Sequence, residues 1–179
     1  YRYYDFDINL QRVIAEVKSL EEGGTLAVYL GLHALEKGFN AVLYTYNLQV
    51  FDPTWFTNSN QRLRMKLFDQ LHHKKDISIQ HATRAYMDFL DRGGSIRFED
   101  LTAGLIRRYL KSGKPILTGL SATYLYNCAR ERLSGDRLLY DDIRGVPTGH
   151  FVVLTGYNKD AKTVWISDPL RPNPFSESN

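Results

Sequence analysis

The pattern of apolar and polar positions predicts mostly helices in the first part of the chain and mostly strands towards its end. Apolar residues recur at helical spacing in five segments, at about residues 8–17, 25–37, 60–73, 78–91 and 98–110. Runs rich in β-branched and aromatic residues predict strands at 39–46, 116–120, 151–157 and 163–167. Helices followed by strands in this order indicate an α+β fold.

The boundaries of these elements carry recognisable signals. Asn9 or Asp7 is placed to cap the first helix, and Gly38 is placed to end the second. The strand at 116–120 is expected to be buried, and the polar stretch 134–148 leads from it towards the last two strands. An aromatic loop precedes the third helix, and we expect its Trp55 and Phe56 to fill the core.

The last two strands flank a turn-forming Asn-Lys-Asp-Ala segment and therefore predict a β-hairpin. With the turn centred on Lys159, His150 lies opposite Asp168 and Leu154 lies opposite Val164. Side chains that are directly opposite share a face, with Cβ atoms roughly 4.5–5.5 Å apart. The predicted register therefore puts an imidazole beside a carboxylate, whereas a slip of one residue would put them on opposite faces.

A histidine held by a carboxylate supplies the second and third members of a Cys-His-Asp or Ser-His-Asp site. The carboxylate orients the ring, and the ring acts as the base. The alternative is purely structural, with His150 at the start of a strand and Asp168 in an Asp-Pro turn that ends one. Spacing alone leaves both interpretations open.

Composition narrows the class of protein. The 179 residues suffice for one domain with a full core, and the net charge of +3 gives no strong case for nucleic acid as a partner. The longest apolar runs are strand-sized, so we expect no membrane partner. The single cysteine excludes an internal disulfide and fits a reducing compartment, which favours a cytoplasmic location.

Other reactive side chains have ordinary explanations. Cys128 lies beside Arg130 and Arg132, which could lower the pKa of its thiol, but it lacks a long helix behind it and precedes His150 by only 22 positions. We interpret it as an ordinary cysteine. The remaining histidines, His33, His72, His73 and His81, fit packed or solvated helical positions. The sequence contains no CxxC, HExxH, Walker or GxGxxG motif, so we expect no metal and no cofactor.

The runs Gly149–Tyr157 and Val164–Pro169 resemble the C-terminal signature of family thirty-nine of the cysteine peptidases, papain-like domains best known for trimming double-glycine leader peptides. Earlier segments are also similar to that family: Tyr3-Tyr4, Gly24-Thr25, Gly38–Ala41 and Lys114–Leu117. The resemblance implies that His150 is the catalytic base and that Asp168 orients it. It also implies a papain-like fold over 1–179, with N-terminal helices packed on an antiparallel sheet and a helical insertion at 58–110.

The resemblance places the family's Cys-Gly nucleophile and oxyanion glutamine just before Tyr1, so the chain is expected to be a domain truncated at both ends and lacking its catalytic helix. It implies a peptidase acting on a peptide or protein substrate. A catalytically inactive peptide-binding module and an amide or acyl transferase on the same fold remain alternatives. The oligomeric state is left open.

Overall fold

The computed structural model describes residues 1–20, 24–57, 59–135, 137–171 and 173. The chain divides into two compact units, Tyr1–Leu101 and Thr102–Asn179. A single domain over 1–179 with a helical insertion at 58–110 stays a prediction.

The described residues of the first unit form four helices and two short strands. They are α1 (Leu10–Glu16), α2 (Ala27–Glu36), β1 (Val42–Thr45), α3 (Asn60–His73), α4 (Ile77–Asp91) and β2 (Ser95–Phe98), with 3-10 turns at Arg2–Tyr4 and Pro53–Thr57. The side chain of Asn9, one of the two candidates for the cap of α1, accepts a hydrogen bond from the backbone N–H of Gln11 and so caps this helix. Gly38 follows α2 with a positive φ of 82°, which confirms the predicted helix end.

The core of the first unit lies among α2, α3, α4 and the segment before the 3-10 turn at Pro53–Thr57. Its buried side chains are Val28, Tyr29, Val50, Phe51, Leu63, Leu67, Ala82, Ala85, Tyr86, Phe89, Leu90 and Ile96. Trp55 and Phe56 pack against this cluster, so the prediction that they belong to the core is confirmed.

The prediction of one helix from about 98 to 110 is wrong at its start. Phe98 ends β2, which pairs in parallel with β1, and α5 (Ala103–Lys111) begins only after Thr102, whose hydroxyl accepts from the N–H of Leu105 at 3.1 Å. The two paired strands are four residues each and far apart in sequence, so no turn signal marks their pairing. The small β1–β2 sheet is therefore a parallel pairing that the sequence did not predict.

The second unit is built around a three-stranded antiparallel sheet in the order β3-β6-β7. After α5 its elements are β3 (Ile116–Ser121), α6 (Ala122–Leu125), β4 (Glu131–Ser134), β5 (Arg137–Tyr140), β6 (Gly149–Asn158) and β7 (Thr163–Ser167). The predicted hairpin is thus present as β6 and β7. The strand β3 is not uniformly buried as expected, since its Leu117 is half-exposed.

A second hairpin, β4–β5, occupies part of the stretch for which no element was predicted. Both faces of β5 are exposed, including the side chains of Leu138 and Leu139. A strand that buries neither face needs no alternation of apolar and polar residues, and no such pattern marks β5 in the sequence. Among the described residues, no helix combines the length and the apolar character needed to cross a membrane.

Candidate functional site

The structure brings the two predicted side chains, His150 and Asp168, into direct contact. His150 is the second residue of β6, and Asp168 directly follows the last residue of β7. Nε2 of His150 lies 2.8 Å from Oδ1 of Asp168. The carboxylate side chain is only 4% exposed and the imidazole 17% exposed, so the carboxylate is buried behind a ring that solvent still reaches.

The register that produces this contact differs from the predicted one by two residues. Leu154 lies opposite Ile166 instead of Val164, and Val153 lies opposite Ser167. The same ladder continued outward puts Asp168 diagonal to His150 instead of directly opposite it. Because side chains alternate with a period of two, a shift of two residues keeps both groups on one face.

A β-bulge at Thr155 sets that face. Between the pairs on its two sides, β6 has one residue more than β7, so the pairing near the turn is one residue out of phase with the pairing at the open end. If the turn-side phase continued to the open end, Asp168 would lie opposite Val153 and would point away from His150. The bulge therefore produces the register in which His150 and Asp168 lie on the same face of the hairpin.

A third group, the hydroxyl of Tyr126, completes the cluster. It lies 2.5 Å from Oδ2 of Asp168 and 3.1 Å from Nε2 of His150, and the phenol and imidazole ring centroids are 5.7 Å apart. Sequence reasoning missed this residue. Tyr124 and Tyr126 occur in the same short turn after β3, and no local pattern indicates which of them points towards the hairpin.

The turn after β3 is tied to the strand that carries His150. Leu120 of β3 pairs with His150, and the N–H of Ala122 donates to the carbonyl of Thr148 at 2.8 Å. The N–H of Thr148 donates to Oγ1 of Thr123 at 3.2 Å, and its own hydroxyl donates to Glu131 at 2.7 Å. These bonds fix the backbone on both sides of His150.

Local hydrogen bonds keep the Asp168 carboxyl ionised. Burial alone would raise its pKa, but hydrogen bonds from the Tyr126 hydroxyl, the backbone N–H of Leu170 and His150 outweigh burial and lower the pKa to about 2. Burial, and then the adjacent Asp168, raise the pKa of Tyr126 to about 12. Near neutral pH the cluster therefore holds a carboxylate and a neutral phenol.

Cys128 lies near this cluster, since a negative charge on its sulfur would contribute to the raised pKa of Tyr126. Its Sγ lies 3.9 Å from the carbonyl oxygen of Ala122, and within the described part of the chain no hydrogen bond links it to His150. The interpretation of Cys128 as an ordinary cysteine stays a prediction.

The other histidines have structural partners or helical surface positions. His33 is buried in the first unit, where Nδ1 contacts the Tyr1 hydroxyl at 2.5 Å and Nε2 contacts Glu16 at 3.0 Å. His72 contacts the carbonyl of Phe68 through Nδ1 at 3.2 Å. Across the residues described, no group of three or more His, Cys, Asp or Glu side chains has the arrangement of a metal site.

Comparison with known families identifies a match that covers the hairpin. A family model described as the Peptidase_C39 like family matches residues 68–177, which is more than half of the chain and includes His150 and Asp168. The matched range begins inside the segment predicted to be an insertion. No curated protein and no solved structure matches the chain.

Proposed function

The chain belongs to the Peptidase_C39 like family, and from this premise we propose that it supplies the base and the orienting carboxylate of a cysteine peptidase acting on peptide bonds. The observation that carries the proposal is the 2.8 Å contact between Nε2 of His150 and Oδ1 of Asp168. The substrate is a peptide or a protein.

The contact supports a separate task for each ring nitrogen. Nε2 of His150 is engaged by Asp168 and Tyr126, whereas Nδ1 forms no hydrogen bond with any described residue. A neutral imidazole whose Nε2–H is held by a carboxylate has its lone pair on Nδ1. Nδ1 is therefore the atom that can accept a proton from a nucleophile.

In the proposed reaction, Nδ1 of His150 takes the proton of a cysteine thiol, and the sulfur forms a bond to the substrate carbonyl carbon. The imidazolium, stabilised by Asp168, returns the proton to the amine as the C–N bond breaks. Water then hydrolyses the thioester, with His150 again acting as the base. The balance needs no oxidant, reductant or cofactor.

The thiol in this proposal comes from a cysteine encoded before Tyr1. The resemblance to family thirty-nine supports that position, and the contact of Cys128 with Ala122 gives no support to Cys128 as the nucleophile. The chain Tyr1–Asn179 alone is then expected to leave peptides uncut.

The test is peptide hydrolysis by the full-length protein, measured with fluorogenic peptides that contain Gly-Gly at the scissile bond. His150→Gln is expected to lower kcat/KM by about 10²- to 10⁴-fold, because the general base is lost. Asp168→Asn should also lower kcat, because the amide cannot stabilise the imidazolium. Cys128→Ser is the matched control and should retain the activity of the unaltered protein.

Persistent hydrolysis by His150→Gln would refute the assignment, and loss of activity in Cys128→Ser would transfer the nucleophile to that residue. Peptide binding without turnover by the full-length protein would favour the inactive binding module. Formation of an amide or hydroxamate with an added amine or hydroxylamine, in excess over hydrolysis, would favour the transferase.

A further inference from the structure

We propose that Tyr126 is a positioning residue that fixes the tautomer and orientation of the His150 imidazole. This role deepens the proposed function and rests on it, but the contacts on which it depends are independent of any nucleophile. The phenol oxygen touches both members of the pair, at 2.5 Å from Asp168 Oδ2 and 3.1 Å from His150 Nε2.

The direction of each hydrogen bond follows from the charge states. An ionised carboxylate can only accept, so the Tyr126 hydroxyl donates to Oδ2 of Asp168. Its oxygen then presents a lone pair towards Nε2 of His150, as Oδ1 of Asp168 also does. Two acceptors facing one ring nitrogen require a proton on that nitrogen, and the base lone pair is consequently held on Nδ1.

Tyr126 supports the base instead of blocking it. It approaches His150 on the side of Asp168 and contacts Nε2, leaving Nδ1 without a hydrogen bond from any described residue. A residue that closed the site would contact the nitrogen that accepts the nucleophile's proton.

A series of backbone hydrogen bonds connects Tyr126 to the strand that carries His150. Its N–H donates to the carbonyl of Ala122 at 2.9 Å at the end of α6, and the same Ala122 is hydrogen-bonded to Thr148, two residues before His150. Tyr124, in the same turn, is 90% exposed and so offers a matched control.

The experiment is nitrogen-15 NMR of the histidine rings in the chain Tyr1–Asn179, with the His150 signals assigned by their loss in His150→Gln. In the unaltered protein His150 is expected as one tautomer, protonated on Nε2. In Tyr126→Phe a mixture with the Nδ1–H tautomer should appear, whereas Tyr124→Phe should match the unaltered protein.

In the active full-length protein, Tyr126→Phe is expected to lower kcat by about tenfold or more with little change in KM, since a hydrogen bond to a charged group is lost. A His150 tautomer identical in Tyr126→Phe, Tyr124→Phe and the unaltered protein would overturn the role of Tyr126. That result would leave the proposed function intact if His150→Gln still abolishes hydrolysis. Conversely, hydrolysis by His150→Gln would refute the proposed function, whereas the NMR result for Tyr126 would still stand.

A second measurement keeps Tyr126 in place, in case Tyr126→Phe does not fold. With tyrosine labelled at Cζ with carbon-13, the phenol nearest the His150 ring should titrate close to pH 12 in the unaltered protein. In Asp168→Asn it should titrate at a lower pH, because its charged acceptor is gone. An unchanged phenol titration in Asp168→Asn would overturn the proposal.

Discussion

At the scale of single residues, Asp168 gathers the interactions that define the site. Its Oδ1 faces His150 and accepts from the N–H of Leu170, while Oδ2 accepts from Tyr126. The histidine and the aspartate could be predicted from sequence because strand spacing and an Asp-Pro ending are local signals. Tyr126 could not, since its role depends on which of two neighbouring tyrosines faces another strand.

The lowered pKa of Asp168 predicts a pH dependence of stability. Its folded pKa of about 2 lies below the ordinary value of roughly 3.9, so the unfolded chain binds more protons between these values. The stabilisation is complete above about pH 4 and is lost as the pH falls through about 2. Asp168→Asn should flatten the free energy of unfolding against pH in this window, by at most about 1.4 kcal/mol per pH unit.

The measurement is urea unfolding followed by Trp165 fluorescence in a Trp55→Phe background, because the chain has two tryptophans and Trp165 lies in β7. Asp160→Asn, at the tip of the hairpin, is the control and should retain the slope of the parent. An Asp168→Asn curve parallel to that of the parent would contradict the assignment of a depressed pKa to Asp168.

At the scale of elements, the sequence predicted most helices and the β6–β7 hairpin, because each has a local pattern and a local turn. The helix α3 begins and ends at the predicted residues, Asn60 and His73. The pairing of β1 with β2 and the register of the hairpin could not be predicted. The former joins distant segments, and the latter depends on a bulge at Thr155, a residue whose identity carries no bulge signal.

Gly156, next to the bulge, lies under the ring of Trp165. A Cβ at Gly156 would come within 2.3 Å of Cε3 of that ring, so Gly156→Ala must displace the indole or the strand. Because Trp165 is 61% exposed and its ring can turn outward, we expect the free energy of unfolding to fall by about 1 kcal/mol, the lower end of the usual cost of overpacking. Denaturant unfolding followed by circular dichroism measures the change.

Two variants separate steric conflict from a general effect of alanine. A Cβ at Gly149, in the same strand, meets nothing within 4 Å, so Gly149→Ala should cost little. Trp165→Ala combined with Gly156→Ala should recover much of the loss relative to Trp165→Ala alone. Equal stabilities of Gly156→Ala and Gly149→Ala would exclude the steric explanation.

At the scale of the whole molecule, apolar burial is distributed unevenly between the two units. The first unit holds a cluster that extends from Val28 to Ile96. Among the described residues of the second unit, the buried apolar side chains are Leu105, Val152 and Leu154. Composition predicted enough apolar residues for a core. It could not predict how buried apolar residues are divided between the two units, because burial depends on tertiary contacts.

This distribution predicts unequal local stability. Regions with few buried apolar contacts open at lower free energy. We therefore expect the amide hydrogens of β3 and β6 to be protected from exchange at least about tenfold less than those of α4, after correction for their intrinsic exchange rates. Native-state hydrogen exchange of the chain measures both sets at once. Equal protection of β6 and α4 would show that the two units open together.

The length of the hairpin has a practical consequence. Asp168 lies five positions after Thr163, the first residue of β7, so Thr163 is roughly 17 Å from Asp168 at about 3.3 Å per residue and the tip lies farther away. An epitope or a fluorophore attached at Lys159 or Asp160 would therefore lie far from the His150–Asp168 pair. A label at that tip would allow capture or imaging of the protein without altering the open end of the hairpin, where His150 and Asp168 lie.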